Sequence, residues 1–160
     1  MHIVLANEND RPIIEALAQR SWRAGYVDVL SAQQIDFMLN KSYSQAGLLE
    51  AMQQGQVFYL GFAEDKPVGF IALQKQTSTV LRIEKLYLIP TVQGKGYGRD
   101  FIDFALAQAR EAQIALLELN VNRKNKAYYF YLKQGFEVVK EVDIPYHGFV
   151  LDDYVMQKPI

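Results

Sequence analysis

One run of glycines limits what this chain can fold into. Gln93-Gly94-Lys95-Gly96-Tyr97-Gly98-Arg99 carries three of the protein's ten glycines, at alternate positions. It follows an apolar run ending in Leu86-Tyr87-Leu88. It precedes Arg99 to Ala112, where Phe101, Ile102, Ala105, Leu106 and Ala109 recur at helical spacing. A strand that turns through glycines into a helix exposes the first helical N–H groups, which lack internal partners and carry the positive end of the helix dipole. Glycine removes the Cβ atoms, so an anion can approach the main chain closely. Lys95 and Arg99 add charge at the rim. A merely tight turn would use the same residues, so spacing has to decide.

Three phosphate loops fail on spacing. Gly-x-x-x-x-Gly-Lys-Ser/Thr needs a hydroxyl residue after Gly-Lys, and Gly96 follows Gly94-Lys95. In Gly-x-Gly-x-x-Gly the third glycine comes one residue later than Gly98 does. A kinase glycine loop joins two strands, whereas this one feeds a helix.

The rest of the chain sets bounds. Its 160 residues make one domain, 1–160, half of them hydrophobic, with no linker, repeat or low-complexity stretch. No cysteine is present, which excludes disulfides, thiolate metal sites and a thiol nucleophile. His2 and His147 are the only histidines and are too far apart in sequence to form a metal cluster, so no metal is expected. A net charge of −1 gives no basic footprint for nucleic acid. No apolar run reaches the ~20 residues of a membrane span, and the N-terminus lacks the basic start of a signal peptide, so a soluble cytoplasmic protein is expected.

Strand and helix periods alternate along the chain. His2 to Ala6 reads as a strand, followed by a helix capped by Asn9 or Asp10, with Pro12 in its first turn, running to about Trp22. Ser31 to Gln34 has capping-box spacing and opens a second helix; Ser44 to Gln53 continues helically. Val57–Ala63 and Val68–Leu73 form a hairpin around the turn Glu64 to Pro67, and Thr79 to Leu88 is a third strand. On that strand, alternation puts Arg82, Glu84, Leu86 and Leu88 on one face. After the Arg99–Ala112 helix come the strand Leu116–Val121, a short helix Lys126–Gln134, and the strands Phe136–Ile144 and Val150–Gln157 around the loop Pro145–Gly148. The expected fold is a mixed α/β domain with helices on both faces of one sheet.

Gln93-Gly94-Lys95-Gly96-Tyr97-Gly98 satisfies Gln/Arg-x-x-Gly-x-Gly/Ala, the pyrophosphate motif of the GCN5-related N-acetyltransferases. About 30 residues on, Asn122 to Phe136 is similar to that family's Asn-x-x-Ala-x-x-Phe-Tyr-x-x-x-Gly-Phe segment. The two motifs, in order and on matching elements, make the chain resemble this family over essentially its whole length. The resemblance implies a central, mostly antiparallel sheet of six or seven strands, splayed between the fourth and fifth. It implies acetyl-CoA as donor, with the pyrophosphate on Gln93, Gly94, Lys95, Gly96, Tyr97, Gly98 and Arg99. The pantetheine arm would pair with the main chain of Leu86, Tyr87 and Leu88, and Asn125 and Tyr128 would adjoin the coenzyme. Asn125 could equally be only a helix cap. Dimers are common in the family, which leaves a homodimer compatible with these residues.

Magnitudes say what catalysis must add. An amine of pKa ~10.4 is mostly protonated at pH 7, and freeing its lone pair costs about 4.6 kcal/mol. The leaving thiolate, if like cysteine at ~8.5, needs only a modest acid, and a tyrosine at ~10 lies about 2 kcal/mol uphill. Direct attack in a ternary complex then needs no covalent intermediate. Tyr131 matches the tyrosine that, in the family, points at the coenzyme sulfur. Glu84 stands on the strand where members often carry a base acting through water, and Glu118 on the neighbouring strand is the second candidate. An unpaired carboxylate there is expensive to bury, so Glu84 either meets a cation such as Arg82 or Lys85 or faces the cleft.

The acceptor is least defined. Tyr26–Ser31, Ile35–Met38 and Asp143–Lys158 resemble the bacterial polyamine (spermidine/spermine) acetyltransferase branch. Asp28, Asp36, Asp143, Asp152 and Asp153 suit a polycation, although scattered aspartates also solvate loops and cap helices. His147 could line the acceptor entrance. A peptide amine stays open as acceptor. A domain that senses CoA without turnover would need the glycine loop but neither Tyr131 nor Glu84.

Overall fold

The computed structural model describes residues 1–160. β1 (His2–Leu5) leads through a 3₁₀ turn into α1 (Arg11–Gly25), α2 (Ala32–Ser42) and α3 (Gln45–Gln53). A meander follows: β2 (Val57–Ala63), β3 (Lys66–Lys75) and β4 (Val80–Leu88). Then come α4 (Tyr97–Glu111), β5 (Leu116–Asn122), α5 (Ala127–Lys133), β6 (Glu137–Tyr146) and β7 (Phe149–Pro159). The seven strands make one sheet in the order β1-β2-β3-β4-β5-β7-β6. Every neighbouring pair is antiparallel except β4–β5, which is parallel. No helix is long and apolar enough to cross a membrane.

Each face of the sheet has its own core. Ile14, Leu17, Trp22, Leu39 and Leu48 of α1–α3 bury against Phe58, Leu60, Phe70 and Ala72. Phe101, Ile102 and Ala105 of α4 bury on the other face, against Ile71, Ile83, Leu117, Leu119 and Met156. Consecutive β3 residues serve opposite cores, which is why Val68–Leu73 reads as an unbroken apolar run. Burying each such large side chain contributes about 1.5–3 kcal/mol.

The helix starts refine the expected caps. Ser31 Oγ and Ser44 Oγ accept from Gln34 N and Gly47 N at 3.1 Å each. Asp10 stands at the N-cap of α1, as expected, but its side chain accepts from Asn7 N at 2.9 Å and caps no amide of α1; Asn7 caps the preceding 3₁₀ turn, its side chain accepting from Asn9 N at 2.8 Å. Pro67 belongs to β3, opposite Phe62 at a register shift, and the preceding turn is Glu64-Asp65 with both φ positive. Pro145 and Tyr146 likewise belong to β6. The expected four-residue loop is a two-residue turn, His147-Gly148, again with positive φ at both positions. Such a turn matches the twist of the strands it joins.

The decisive irregularity is in β4. Ala72 pairs with Lys85 while Leu73 pairs with Ile83, so Glu84 is an extra, bulged residue. The bulge reverses the alternation expected for this strand. Leu86 and Leu88 join Leu81 and Ile83 on the α4 face, whereas Lys85 turns toward Tyr43 and Phe58 beneath α1–α3. Beyond the bulge β4 leaves its neighbour: parallel pairing with β5 runs only from Val80↔Leu116 to Ile83↔Leu119. The sheet is therefore split between its fourth and fifth strands.

Lys85 carries a testable cost. Its Nζ lies 2.5 Å from Gln56 Oε1 and 5.8 and 5.6 Å from the Tyr43 and Phe58 ring centroids. Burial lowers its pKa from 10.5 to about 8, partly opposed by Glu84. That interval corresponds to about 3 kcal/mol of destabilisation, fully present below pH 8 and relieved as pH rises toward 10.5. Lys85→Met should raise stability at pH 7 by about 1–2 kcal/mol, since Gln56 also loses its donor. In denaturant titrations the gain should shrink between pH 8 and 10.5. A gain independent of pH would mean that the ammonium is not desolvated.

Candidate active site

The glycine run connects β4 to α4 at the mouth of the split. Gly96 caps α4 in the left-handed conformation, φ +86°, and Gly94 has φ +79°. A Cβ on either would meet no atom within 4 Å, so the space beside them is open. Asp100 N is the first amide of α4 to find a helical acceptor, Gly96 O at 3.1 Å. The amides of Tyr97, Gly98 and Arg99 are left to an external acceptor, and exposed Lys95 and Arg99 flank them. The helix thus starts two residues earlier than the periodicity predicts. Gly98 lies inside it and serves a different end: a Cβ there would sit 3.0 Å from Phe130 Cζ, so this glycine lets α4 approach the Phe130 ring of α5 closely.

The split exposes main chain. Leu86, Tyr87 and Leu88 pair with Ile71, Phe70 and Gly69 on one side and have no strand partner on the other. Gln93 Nε2 lies 3.5 Å from Leu88 O, tying the glycine turn to the end of β4. On the β5 side, Asn125 Oδ1 accepts from Ala127 N at 2.9 Å and so caps α5. Tyr128 packs against Tyr154, the ring centroids 4.9 Å apart and the planes tilted by 38°.

Tyr131 is buried between Phe130 and Phe136, with ring centroids 5.3 and 5.8 Å away. Burial, with a smaller effect from Tyr26, pushes its phenol far above the usual tyrosine value, and no donor stabilises its phenolate. It is therefore a neutral O–H at any physiological pH, able to give a proton and not to take one.

On the α1–α3 face of the sheet, beside the split, lie the residues of a candidate cleft that the sequence did not reveal as a unit. Trp22, Tyr26, Tyr43 and Tyr87 form an aromatic wall with centroid separations of 4.3–6.4 Å, and Tyr26 and Tyr87 place their hydroxyls 3.4 Å apart. Burial raises the pKa of Tyr26, Tyr43 and Tyr87, so this wall is uncharged. A second aromatic group joins α2 to the β6–β7 hairpin tip, where Phe37 packs on Tyr146, His147 and Phe149 at 5.4–6.2 Å. The floor is polar. Arg82 bridges Glu118 at 2.7 Å and Glu84 at 3.3 Å; Gln157 donates to Glu118 Oε2 at 2.7 Å, and Gln76 donates to Glu84 Oε1 at 3.0 Å. Asn120 Nδ2 donates to Asp153 Oδ2 at 3.3 Å.

A bared helix N-terminus beside an unpaired strand edge suits a ligand with a diphosphate at one end and an amide-bearing arm at the other. The model of the acetyltransferase (GNAT) domain matches residues 26–157. This chain belongs to the GNAT acetyltransferases. GNAT enzymes transfer an acetyl group from acetyl-CoA to an amine, and this chain is an acyl-CoA-dependent N-acetyltransferase. It is 30% identical over 140 residues to a spermidine N(1)-acetyltransferase of Thermoplasma acidophilum, covering 84% of this chain and 86% of that one. A peptidyl-lysine N-acetyltransferase of Escherichia coli, YjaB, is 40% identical over 82 residues, about half of each chain. Among solved structures, the PaiA N-acetyltransferase of T. acidophilum in complex with coenzyme A superposes with a TM-score of 0.84, at 25% identity and full coverage of both chains. The split seven-stranded sheet is the GNAT sheet.

The GNAT residues expected from sequence fall into two groups. Gln93 to Arg99, the Leu86–Leu88 edge, Asn125, Tyr128 and Tyr131 gather around the split. Glu84 marks its apex, paired with Arg82 and Gln76. The five aspartates disperse: Asp36 pairs with Arg23, Asp143 pairs with Arg123, and Asp28 is exposed in a turn. Asp152 accepts from Asn122 at 3.0 Å, which leaves Asp153 on the cleft floor. His147 is exposed at the hairpin tip, and His2 lines an open concavity of about 600 Å³ at the β1 edge with Met1, Phe62, Asp65 and Tyr97.

Proposed function

We propose that this GNAT enzyme acetylates a primary amine of a polyamine by direct attack within a ternary complex. The observation that carries the reading is that an uncharged aromatic cluster, with Tyr26 near Asp153, and the carboxylates Glu84 and Glu118 lie beside the split. An alkylammonium chain needs both: apolar surface for its methylenes and π-faces or carboxylates for its charges. The similarity to a spermidine acetyltransferase supports the same acceptor.

In this reading the diphosphate lies on the Gly94–Arg99 turn and the arm pairs with Leu86–Leu88. Tyr131 gives its proton to the departing thiolate. Its raised pKa is no obstacle in itself, because the thiolate forms in the same desolvated place and the same burial raises its own proton affinity. Glu84 takes the amine's proton through water. Arg82 and Gln76 both bind its Oε1, leaving Oε2 free, whereas both Glu118 oxygens are engaged, by Arg82 and Gln157. That asymmetry favours Glu84 over Glu118. Such acid–base assistance is worth 10²–10⁴-fold.

A lysine side chain of a peptide is the second reading, favoured by the similarity to YjaB over half the chain. The test is thiol release from acetyl-CoA with spermidine, spermine, a lysine peptide and an aminoglycoside as acceptors. Turnover on a polyamine at least tenfold above the others is expected. Preference for the peptide would replace the acceptor and keep the chemistry. CoA binding without turnover on any amine would make the chain a sensor.

A further inference from the structure

Of the carboxylates around the cleft, Asp152 and Asp153 lack a cation, and only Asp153 also lacks a short hydrogen bond. Glu84 and Glu118 share Arg82, and Asp143 holds Arg123 at 2.6 Å. Asp152 takes the Asn122 amide at 3.0 Å. Asp153 has no salt bridge, and its one hydrogen bond, from Asn120, is long at 3.3 Å. Arg123 reaches only its main-chain oxygen, at 3.5 Å. Yet its side chain is half-buried. A carboxylate withdrawn from water with neither counter-ion nor strong donor is costly unless a cation visits it.

Its position says where that cation comes from. Asp153 pairs in register with Asn122, past the point where β4 and β5 separate, and Tyr154 and Met156, one and three residues on, point into the opposite core. Its side chain therefore faces the cleft, close enough to Tyr26 of the aromatic wall to oppose that phenol's ionisation. Asn120 Oδ1 beside it is a buried acceptor with no partner. Burial raises the Asp153 pKa, joined by Asp152 and opposed by Asn120, Arg82 and Arg123. A cation placed there would relieve that strain.

We propose that Asp153 anchors a distal ammonium group of the acceptor, one that is held and not acetylated. The assignment rests on the reading of this cleft as the acceptor site. It makes Asp153 a specificity-determining residue: an acceptor with a second charge gains from it and a monoamine does not. Glu84, at the split, handles the reacting amine.

Binding tests this without relying on turnover. Spermidine and n-butylamine would be titrated calorimetrically into the CoA-saturated protein, as wild type, Asp153→Asn, Asp153→Glu and the turn variant Asp28→Asn. Asp153→Asn should weaken spermidine about tenfold or more, the scale of a lost charge-assisted hydrogen bond, and leave n-butylamine within about twofold. Asp153→Glu should keep the preference for spermidine, and Asp28→Asn should match wild type. Unchanged CoA affinity in each variant verifies the fold. Spermidine affinity unaffected by Asp153→Asn, or equal losses for both amines, would overturn the anchor. Asp153-dependent spermidine binding without acetylation would uphold the anchor while removing the polyamine from the proposed function.

Discussion

Replacing Tyr131 by phenylalanine should lower kcat about 10²–10⁴-fold and leave KM for acetyl-CoA within about twofold. The two parts follow from separate contacts. The ring is held by Phe130 and Phe136, and phenylalanine keeps that packing, so α5 and its contact with Gly98 stay in place. Only the hydroxyl is lost, and it hydrogen-bonds nothing within the chain that would be left unsatisfied. Stability should therefore change by less than about 1 kcal/mol. Steady-state kinetics on the best amine, with a thermal melt of the same sample, separates the cases. A kcat within threefold of wild type would leave thiolate protonation to water and Tyr131 to the core.

Phe70→Ala should cost about 3–5 kcal/mol, the usual range for removing a buried phenylalanine. Phe70 is fully buried at the centre of β3, stacked on Phe58 at 6.3 Å and touching Tyr43 and Tyr87 at 6.3 and 5.7 Å. Urea titration would report the loss directly, and in a chain of this size the melting point should fall by about 10 °C or more. The same truncation removes the backing of two of the four aromatic residues in the cleft wall. The variant that still folds at low temperature should therefore show a raised KM for the amine. A cost below 1 kcal/mol would mean that the ring is not packed as described.

What was legible in the sequence was periodic or punctuated. Strand alternation, helix stripes and two spaced motifs placed nearly every element and brought the GNAT fold, the glycine turn and Tyr131 into view. The bulge at Glu84 was not legible, because one extra residue between Ile83 and Lys85 carries no Gly or Pro to mark it. Every residue after it therefore seemed to face the wrong way. Pro145 was placed in the loop between the last two strands, yet it belongs to β6, an edge strand, where proline is tolerated. Gly98 was grouped with Gly94 and Gly96 by spacing, although its constraint comes from Phe130, distant in sequence. The wall of Trp22, Tyr26, Tyr43 and Tyr87 could not be assembled either. Trp22 lies in α1, Tyr26 and Tyr43 lie just past the ends of α1 and α2, and Tyr87 lies in β4, so only tertiary packing brings them together. Asp153 was one aspartate among five until the surroundings of the others were known: ion pairs for Asp36 and Asp143, an amide for Asp152 and solvent for Asp28.

The split sheet also bears on how such a chain survives in a crowded solution. A closed sheet of these strands would present two edges, β1 and β6; here β4 and β5 add two more in the middle. Unpaired edges invite strands from other chains. The outer pair is blunted, β1 by being only four residues long and β6 by Pro145, Lys140 and Glu141. The inner edge, with Leu86 and Leu88, has only its recess for protection. In the proposed reading, a coenzyme arm that pairs with that edge is also a guard against self-association, and the empty enzyme should aggregate more readily than the CoA-bound one.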